Sequence, residues 1–289
     1  MIDVSKLGKG GLIQPLHRKD YRFELAATAI QLPAFHEIVY GGKIKNQDGS
    51  GSCVSQAVSY YAELLNWIET GQWTELSARD LYSLVYKEPM GSYIKDNMEK
   101  MKNSGIVLET DVPSYENGKP PSETFMRKRD DITEAEIENG KTYMTLKYLT
   151  WDNTNLDWYK QAILQGSGCI VCSWGNNYLW ENAKILLPDN KNQMNWLHGI
   201  FLIGWDDAEK VFKFINSWGI DWGDSGYGYL PYSYITQGYV SNPMTMTDIP
   251  NLTYVKLMSQ IKNLQEQIRL WKIIIELKNK IVNLLKGRK

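Results

Sequence analysis

The sequence predicts an α+β protein, with a helix-forming first half, a strand-rich second half and a long helical tail. Three observations carry this. From residue 54 the apolar side chains Val54, Ala57, Val58, Tyr61, Leu65 and Ile68 recur at steps of three and four, the period of one buried helix face. After Gly166 the pattern changes to the short apolar runs CIVCSW, GIFLIGWDD and VFKFINSWG. From Leu252 neither Gly nor Pro occurs until Gly287, and apolar residues repeat in heptads.

Taken in order, residues 1–34 are mixed and weakly periodic, and read as an extended arm. Residues 53–69 form the first helix, with Ser and Gly upstream as N-cap chemistry. ELSARDLYSLVYKE and IKDNMEKMKNSGI read as two further helices, the second closed by Gly105. DVPSYENGKPPSE is a Pro/Gly/Ser loop, and NLDWYKQAILQG is a short helix ending at Gly166. The three strands follow, then the glycine-dense IDWGDSGYGYLPYSYI. The expected division is an arm over 1–34, a body over 35–250 and a tail over 251–289.

At 289 residues, with a formal net charge of −1, the chain can bury a full-sized core and fits a water-soluble class. The charge is uneven: residues 251–289 hold nine Lys and Arg against two Glu, which leaves the body acidic. Three cysteines are too few for a disulfide framework. Cys169 and Cys172 form a C-x-x-C, but no second pair or nearby His completes a zinc site. They lie in a buried-strand pattern, where residues three apart face opposite ways, so packing is their expected role. No metal and no cofactor is predicted. No apolar stretch reaches signal-peptide or membrane-spanning length, so an intracellular or virion-associated protein is expected.

The chemistry concentrates at Cys53, which stands behind NQDGSGS at the start of the first helix. Unpaired N–H groups of a first turn favour negative charge, and the thiolate is the nucleophilic form of cysteine. Of the three histidines, His17 lies in the arm and His36 near the start of the body. His198, in NWLHGIFLIGWDD, enters an apolar strand and can reach a cleft. A thiol nucleophile needs such an imidazole, and the imidazole needs a partner that sets its tautomer. Asn216 is the candidate partner, with Trp218 able to cover that hydrogen bond from water.

NQDGSGSC, LHG and NSWGIDWGDSGYGYL, in that order, resemble the motifs of papain-like cysteine peptidases. MGSYIKDNMEKMKNSGI resembles the family's substrate-pairing glycine segment, and LPAFHEI resembles the start of its mature domain. The resemblance covers residues 33–240. It implies a two-lobe fold, helical lobe plus antiparallel β lobe, and a thiol endopeptidase acting on peptides or proteins. Carried over, Cys53 is the nucleophile, His198 its acid/base partner and Asn216 the orienting residue. Gln47 joins the Cys53 backbone N–H in stabilising the oxyanion. Gly91 and Ser92 pair with an extended substrate backbone and Tyr93 lies near a side-chain pocket. Gly51 leaves space for substrate, and Gly199 and Trp218 line the cleft.

Departures from the family pattern are also visible. A cysteine that is often disulfide-bonded is replaced by Ser50, and the Trp that often follows the nucleophile is replaced by Val54. HRKDYRFELAA resembles the short leader of some prokaryotic and viral relatives, and residues 1–34 are too short to fold as a pro-domain. Control by zymogen cleavage is therefore not expected.

In the tail, Tyr254, Leu257, Ile261, Leu264, Ile268, Trp271, Ile275, Lys278, Val282 and Leu285 alternate steps of three and four. That pattern predicts a C-terminal coiled-coil helix and a homo-oligomer or larger assembly through residues 254–285. A helix lying on its own domain, or a basic amphipathic helix on an anionic membrane, are the other readings. The scattered basic residues and the acidic body argue against nucleic acid. The rival to an enzyme is a structural or binding component of a larger assembly, such as a virus particle, that keeps the fold.

Overall fold

In the computed structural model the described residues are 2–15, 31–145, 147–152, 154–247, 268–275 and 278. By internal contacts the chain divides into Met1–Asp248 and Ile249–Lys289.

The first unit begins with a single 3₁₀ turn, Val4–Lys6, capped by Asp3. Strand β1 (Phe35–Glu37) precedes helices α1 (Cys53–Thr70), α2 (Ala78–Val85), α3 (Ile94–Ser104), α4 (Glu123–Arg127) and α5 (Glu134–Gly140). Strand β2 (Lys147–Thr150) and helix α6 (Leu156–Gly166) lead into β3 (Cys169–Gly175), β4 (Trp196–Asp206), β5 (Val211–Ile215) and β6 (Tyr227–Pro231). Helix α7 (Tyr232–Thr236) and strand β7 (Val240–Thr247) complete it. The strands form one antiparallel sheet in the order β2-β7-β3-β4-β5-β6, with β1 on the far end of β4. This is the predicted α+β arrangement, helices first and sheet second.

Alternation along the buried strands divides the core into two. Cys169 and Val171 face one cluster, with Ile163 of α6 and the indoles of Trp180, Trp218 and Trp222. Ile170 and Cys172 face the other, with Val54, Val58 and Tyr61 of α1. The C-x-x-C therefore spans both faces of β3 as two free, buried thiols, in the packing role expected of it. No group of three metal-ligating side chains occurs among the described residues.

Local signals account for the helix ends. Gly105 closes α3 by a bond from its N–H to Met101 O. Helix α1 ends at Gly71, in the left-handed region at φ 74°, with its N–H on Trp67 O. The start of α1 departs from expectation. Ser52 is the N-cap, yet its side chain caps nothing, and its hydroxyl instead pairs with Ser50 Oγ and accepts from Gln56. The first-turn N–H groups are thereby left for Cys53.

The tail prediction falls mainly outside the described residues. Residues 268–275 and 278 are helical, and Ile268, Trp271 and Ile275 are exposed on them. Among the described residues, no helix is long and apolar enough to cross a membrane.

Candidate active site

Helix α1 points its N-terminus at β4, and this contact builds the site. Gly199 makes the approach possible. A Cβ there would lie 2.9 Å from Val54 Cγ2 and 3.0 Å from the Val54 backbone. The Gly199 N–H donates to Cys53 Sγ at 3.3 Å, so the thiol rests against the backbone beside His198.

His198 lies opposite Ser173 on β3, and Asn216 follows directly on β5, the other neighbour of β4. Because an amide oxygen only accepts, His198 Nε2–H donates to Asn216 Oδ1, at 2.8 Å. That tautomer leaves Nδ1 as a base, and Nδ1 has no protein partner. Asn216 is held from both sides: its N–H bonds Gly226 O, and its carbonyl accepts from Tyr60 of α1. Trp218 covers the pair, its ring centred 4.4 Å from the imidazole. Trp180 and Trp196 stand edge-on around it at 5.9 and 6.3 Å, an aromatic surround that the sequence reading did not single out.

Gln47 is fully buried next to Ser217, which donates its hydroxyl to Gln47 Oε1. One amide hydrogen of Nε2 goes to Ser50 O, leaving the second for another acceptor. Gly51, Gly91 and Ser92 line the opposite wall, and Tyr93 is the N-cap of α3 beside them. His36 is not brought in: it pairs with Trp205, further along β4, and packs on that indole. His17 lies outside the described residues.

The cleft is occupied by the protein's own arm. Gly10 N–H donates to Cys53 Sγ at 3.3 Å. Ser92 N–H donates to Gly10 O, and Leu12 N–H donates to Ser92 O, so the arm pairs with Ser92 in the parallel sense. On the other wall, Gly11 N–H reaches Leu197 O and Trp218 Nε1–H reaches Gly8 O. The approach is closer than any side chain allows, since a Cβ on Gly10 would stand 2.0 Å from Gly51 O. Lys9 lies over Trp196 and Trp218, its ammonium 5.5 and 5.6 Å from the ring centres. All of these contacts are made by residues 8–12, which form one bridge, Gly11 to Ser92, and no regular strand.

Covering changes the electrostatics. Burial pushes the Cys53 thiol up to about 11, against the N–H groups of Gly199, Gly10 and the first turn, which favour the thiolate. Burial likewise pushes His198 down to about 3, and the Lys9 charge adds to this while Asn216 opposes it. The easy ionisation expected from the helix terminus is therefore not met in the covered site. Desolvation of a fully buried thiol outweighs the first-turn dipoles.

The profile of the papain family cysteine proteases matches residues 37–244. The chain belongs to that family. Similar proteins include a cysteine protease of the mite Blomia tropicalis, 26% identical over 65% of this chain and 57% of its own length. A peptidase C1-like protein of Acanthamoeba polyphaga mimivirus is 24% identical over 66% of this chain and 64% of its own. Mexicain of Jacaratia mexicana is 25% identical over 64% of this chain and 80% of its own. This papain-family chain thus spans about six tenths of the length of the mite and viral proteins. Among solved structures, xylellain, a cysteine protease from Xylella fastidiosa, superposes with a TM-score of 0.73 at 20% identity, over 84% of this chain and 97% of its own. That likeness bears on the fold, which is papain-like.

Proposed function

We propose that this chain is a thiol endopeptidase whose leader, residues 8–12, keeps it latent. The observation that carries the reading is the His198–Asn216 bond, which leaves Nδ1 as a base with no protein partner, while the N–H of the next residue, Gly199, holds the Cys53 sulfur at a helix start. In the proposed reaction Cys53 Sγ attacks the scissile carbonyl carbon and its proton passes to His198 Nδ1. The oxyanion is met by the Cys53 N–H and the remaining Gln47 amide hydrogen. His198 then protonates the leaving amine, and water attacks the thioester to release the acid and restore the thiol.

The leader is not itself a substrate in this position. It offers the sulfur an N–H, while Gly10 carbonyl is turned away to Ser92 N–H. Attack requires the carbonyl carbon at the thiol. Latency follows from geometry and from the neutral, buried Cys53–His198 pair, and release of the leader exposes both.

The test is labelling of the full chain with a peptidyl electrophile. Cys53 alone should be modified, slowly while the leader is in place and fast once it is displaced, and His198→Ala should abolish the fast reaction. Absence of any Cys53 adduct in a leader-displaced variant such as Gly10→Ala refutes the assignment and favours a non-enzymatic role.

The tail is proposed to join copies of the chain through residues 254–285. The exposed Ile268, Trp271 and Ile275 support this, because a single helix in water gains little from such a stripe. Sedimentation of the full chain at micromolar concentration should give a dimer or trimer; a monomer overturns it.

A further inference from the structure

The side of the cleft that faces β4 carries two adjoining backbone walls, Gly51 ahead of the nucleophile and Gly91–Ser92 ahead of α3. They touch: a Cβ on Gly51 would stand 2.2 Å from Met90 Cγ and 2.8 Å from Gly91 N. Their spacing decides whether a strand between the walls and β4 is gripped, and no covalent tie sets it. Position 50 is serine, its hydroxyl donating to Gln47 O, and all three cysteines are free.

The geometry points to Glu123 as a positioning residue that staples these walls together. Its Oε2 accepts the Gly51 N–H at 2.7 Å. Its Oε1 accepts the Tyr82 hydroxyl at 2.8 Å, and that same hydroxyl accepts the Gly91 N–H at 2.9 Å. One carboxylate thereby holds the first wall directly and the second through one phenol. Arg127, one turn on in α4, donates Nε to Oε1 at 2.6 Å and fixes the carboxylate's orientation. The rest of its guanidinium reaches Glu88 Oε1 at 3.0 Å and Pro89 O, holding the approach to Gly91.

The carboxylate is four-fifths shielded, and it is satisfied by donors from both walls and from α4 itself. A charged acceptor strengthens each of these bonds relative to a neutral one. Neither Glu123 nor Tyr82 touches the thiol, the imidazole or the leader in any bond described above. They act through Gly51 and Gly91, which do meet the leader in the cleft: a Cβ on Gly91 would lie 2.4 Å from Gly10 O. The staple therefore sets the grip on whatever backbone lies there, the leader in the latent form and an extended peptide in the open one.

This inference rests on the peptidase reading for its catalytic half only, so two readouts are paired in the full chain. The first is the iodoacetamide reaction of Cys53, which needs the leader to leave. Glu123→Ala should speed it about tenfold, and Tyr82→Phe at least about threefold, the scale of losing charge-assisted hydrogen bonds. Glu123→Gln has one accepting oxygen, so its NH2 must face either the Gly51 N–H or the Arg127 N–H, and it should fall between the unaltered chain and Glu123→Ala, at about threefold. Cys169, which the leader does not cover, should stay unreactive in all three, which shows that the fold is intact; Cys172 contacts Leu12 and Gly11 of the leader and is not used as the control.

The second readout is steady-state kinetics per titrated site with extended peptide substrates. Glu123→Ala should raise KM about tenfold with kcat within about threefold, because pairing with the substrate backbone is made in ground state and transition state alike. A merely structural carboxylate would lower the number of titratable sites without moving KM. Unchanged Cys53 reactivity in Glu123→Ala, or an unchanged KM in a chain that cleaves peptides, overturns the staple. If no variant cleaves any peptide and Glu123→Ala still speeds Cys53 alkylation, the staple stands and the peptidase reading fails.

Discussion

Replacing Gly10 by alanine adds one methyl group at the tightest point of the covered cleft. Its carbon would stand 2.0 Å from Gly51 O and 2.6 Å from Gly51 C and Cα. Those are backbone atoms directly ahead of α1, with the Gly51 N–H held by Glu123. The leader must therefore move, by about 1.4 Å to reach an ordinary contact. A shift of that size breaks the Gly10 N–H bond to sulfur and the two bonds to Ser92. At about 1 kcal/mol net for each, the covered state loses about 3 kcal/mol, or about 100-fold in population. The lower chain entropy of alanine in the released leader opposes this by about 0.5 kcal/mol, too little to cancel it. The assay is the rate of Cys53 carboxamidomethylation at pH 7, resolved by site with mass spectrometry. Gly10→Ala should react about 100-fold faster than the unaltered chain. Lys6→Ala, which removes an exposed side chain of the same arm, should not change it. Equal Cys53 rates in Gly10→Ala and the unaltered chain would show that the leader does not guard the thiol.

Acid should release the leader. His198 is held down at about 3 when covered, and a solvated imidazole titrates near 6.5, so below 6.5 only the released form takes up the proton. Release then gains up to about tenfold per pH unit from His198 between 6.5 and 3, and His198 contributes nothing to it above 6.5; protection factors of the Gly10 and Gly11 amides at pH 7 and 4.5 measure this, and equal values refute it. If the proposed peptidase reading holds, Asn216→Ala should lower kcat about 10- to 100-fold through lost imidazole orientation, and Gln47→Ala about 10²-fold through a lost oxyanion donor, both read from kcat at saturating peptide. Asp80→Ala should destabilise the helical lobe by about 3–5 kcal/mol in chemical denaturation. Asp80 is fully buried, accepts from Val107 N–H, and pairs with Arg129 and the equally buried Lys100, which would be left without its carboxylate.

Short-range patterns were legible wherever one face of an element is buried. The three-and-four spacing of α1, the Gly105 stop of α3 and the apolar runs of β3, β4 and β5 stand where they were expected, because burial, capping and period are local properties. The short helices α4 and α5 were passed over although their caps are in the sequence. Ser122 caps α4, and Thr133 with Glu136 closes a capping box on α5. Strand β7 carries a signal against itself: Pro243 argues against an interior strand, yet β7 lies between β2 and β3. The sheet accepts it because the register with β3 shifts between Ile170 and Cys172, with Asn242 at φ 51° in the irregular stretch of β7.

The site divides along the same line. Cys53 at a helix start, His198 on a strand and Asn216 in a glycine-rich turn could be named as candidates from the chain, not singly but because NQDGSGSC, LHG and NSWG stand together in the order that the family resemblance carries. What the arm does could not. GKGG has no periodicity, and its meaning lies in contacts with residues 51, 91, 92 and 197, far away in sequence. The state of the thiol follows the same rule: the helix terminus alone argues for ionisation, and the desolvation that reverses it comes from chain segments that only folding brings together. Local order is written into neighbouring residues; burial, charge state and the spacing of the cleft walls are properties of residues that are neighbours only in space.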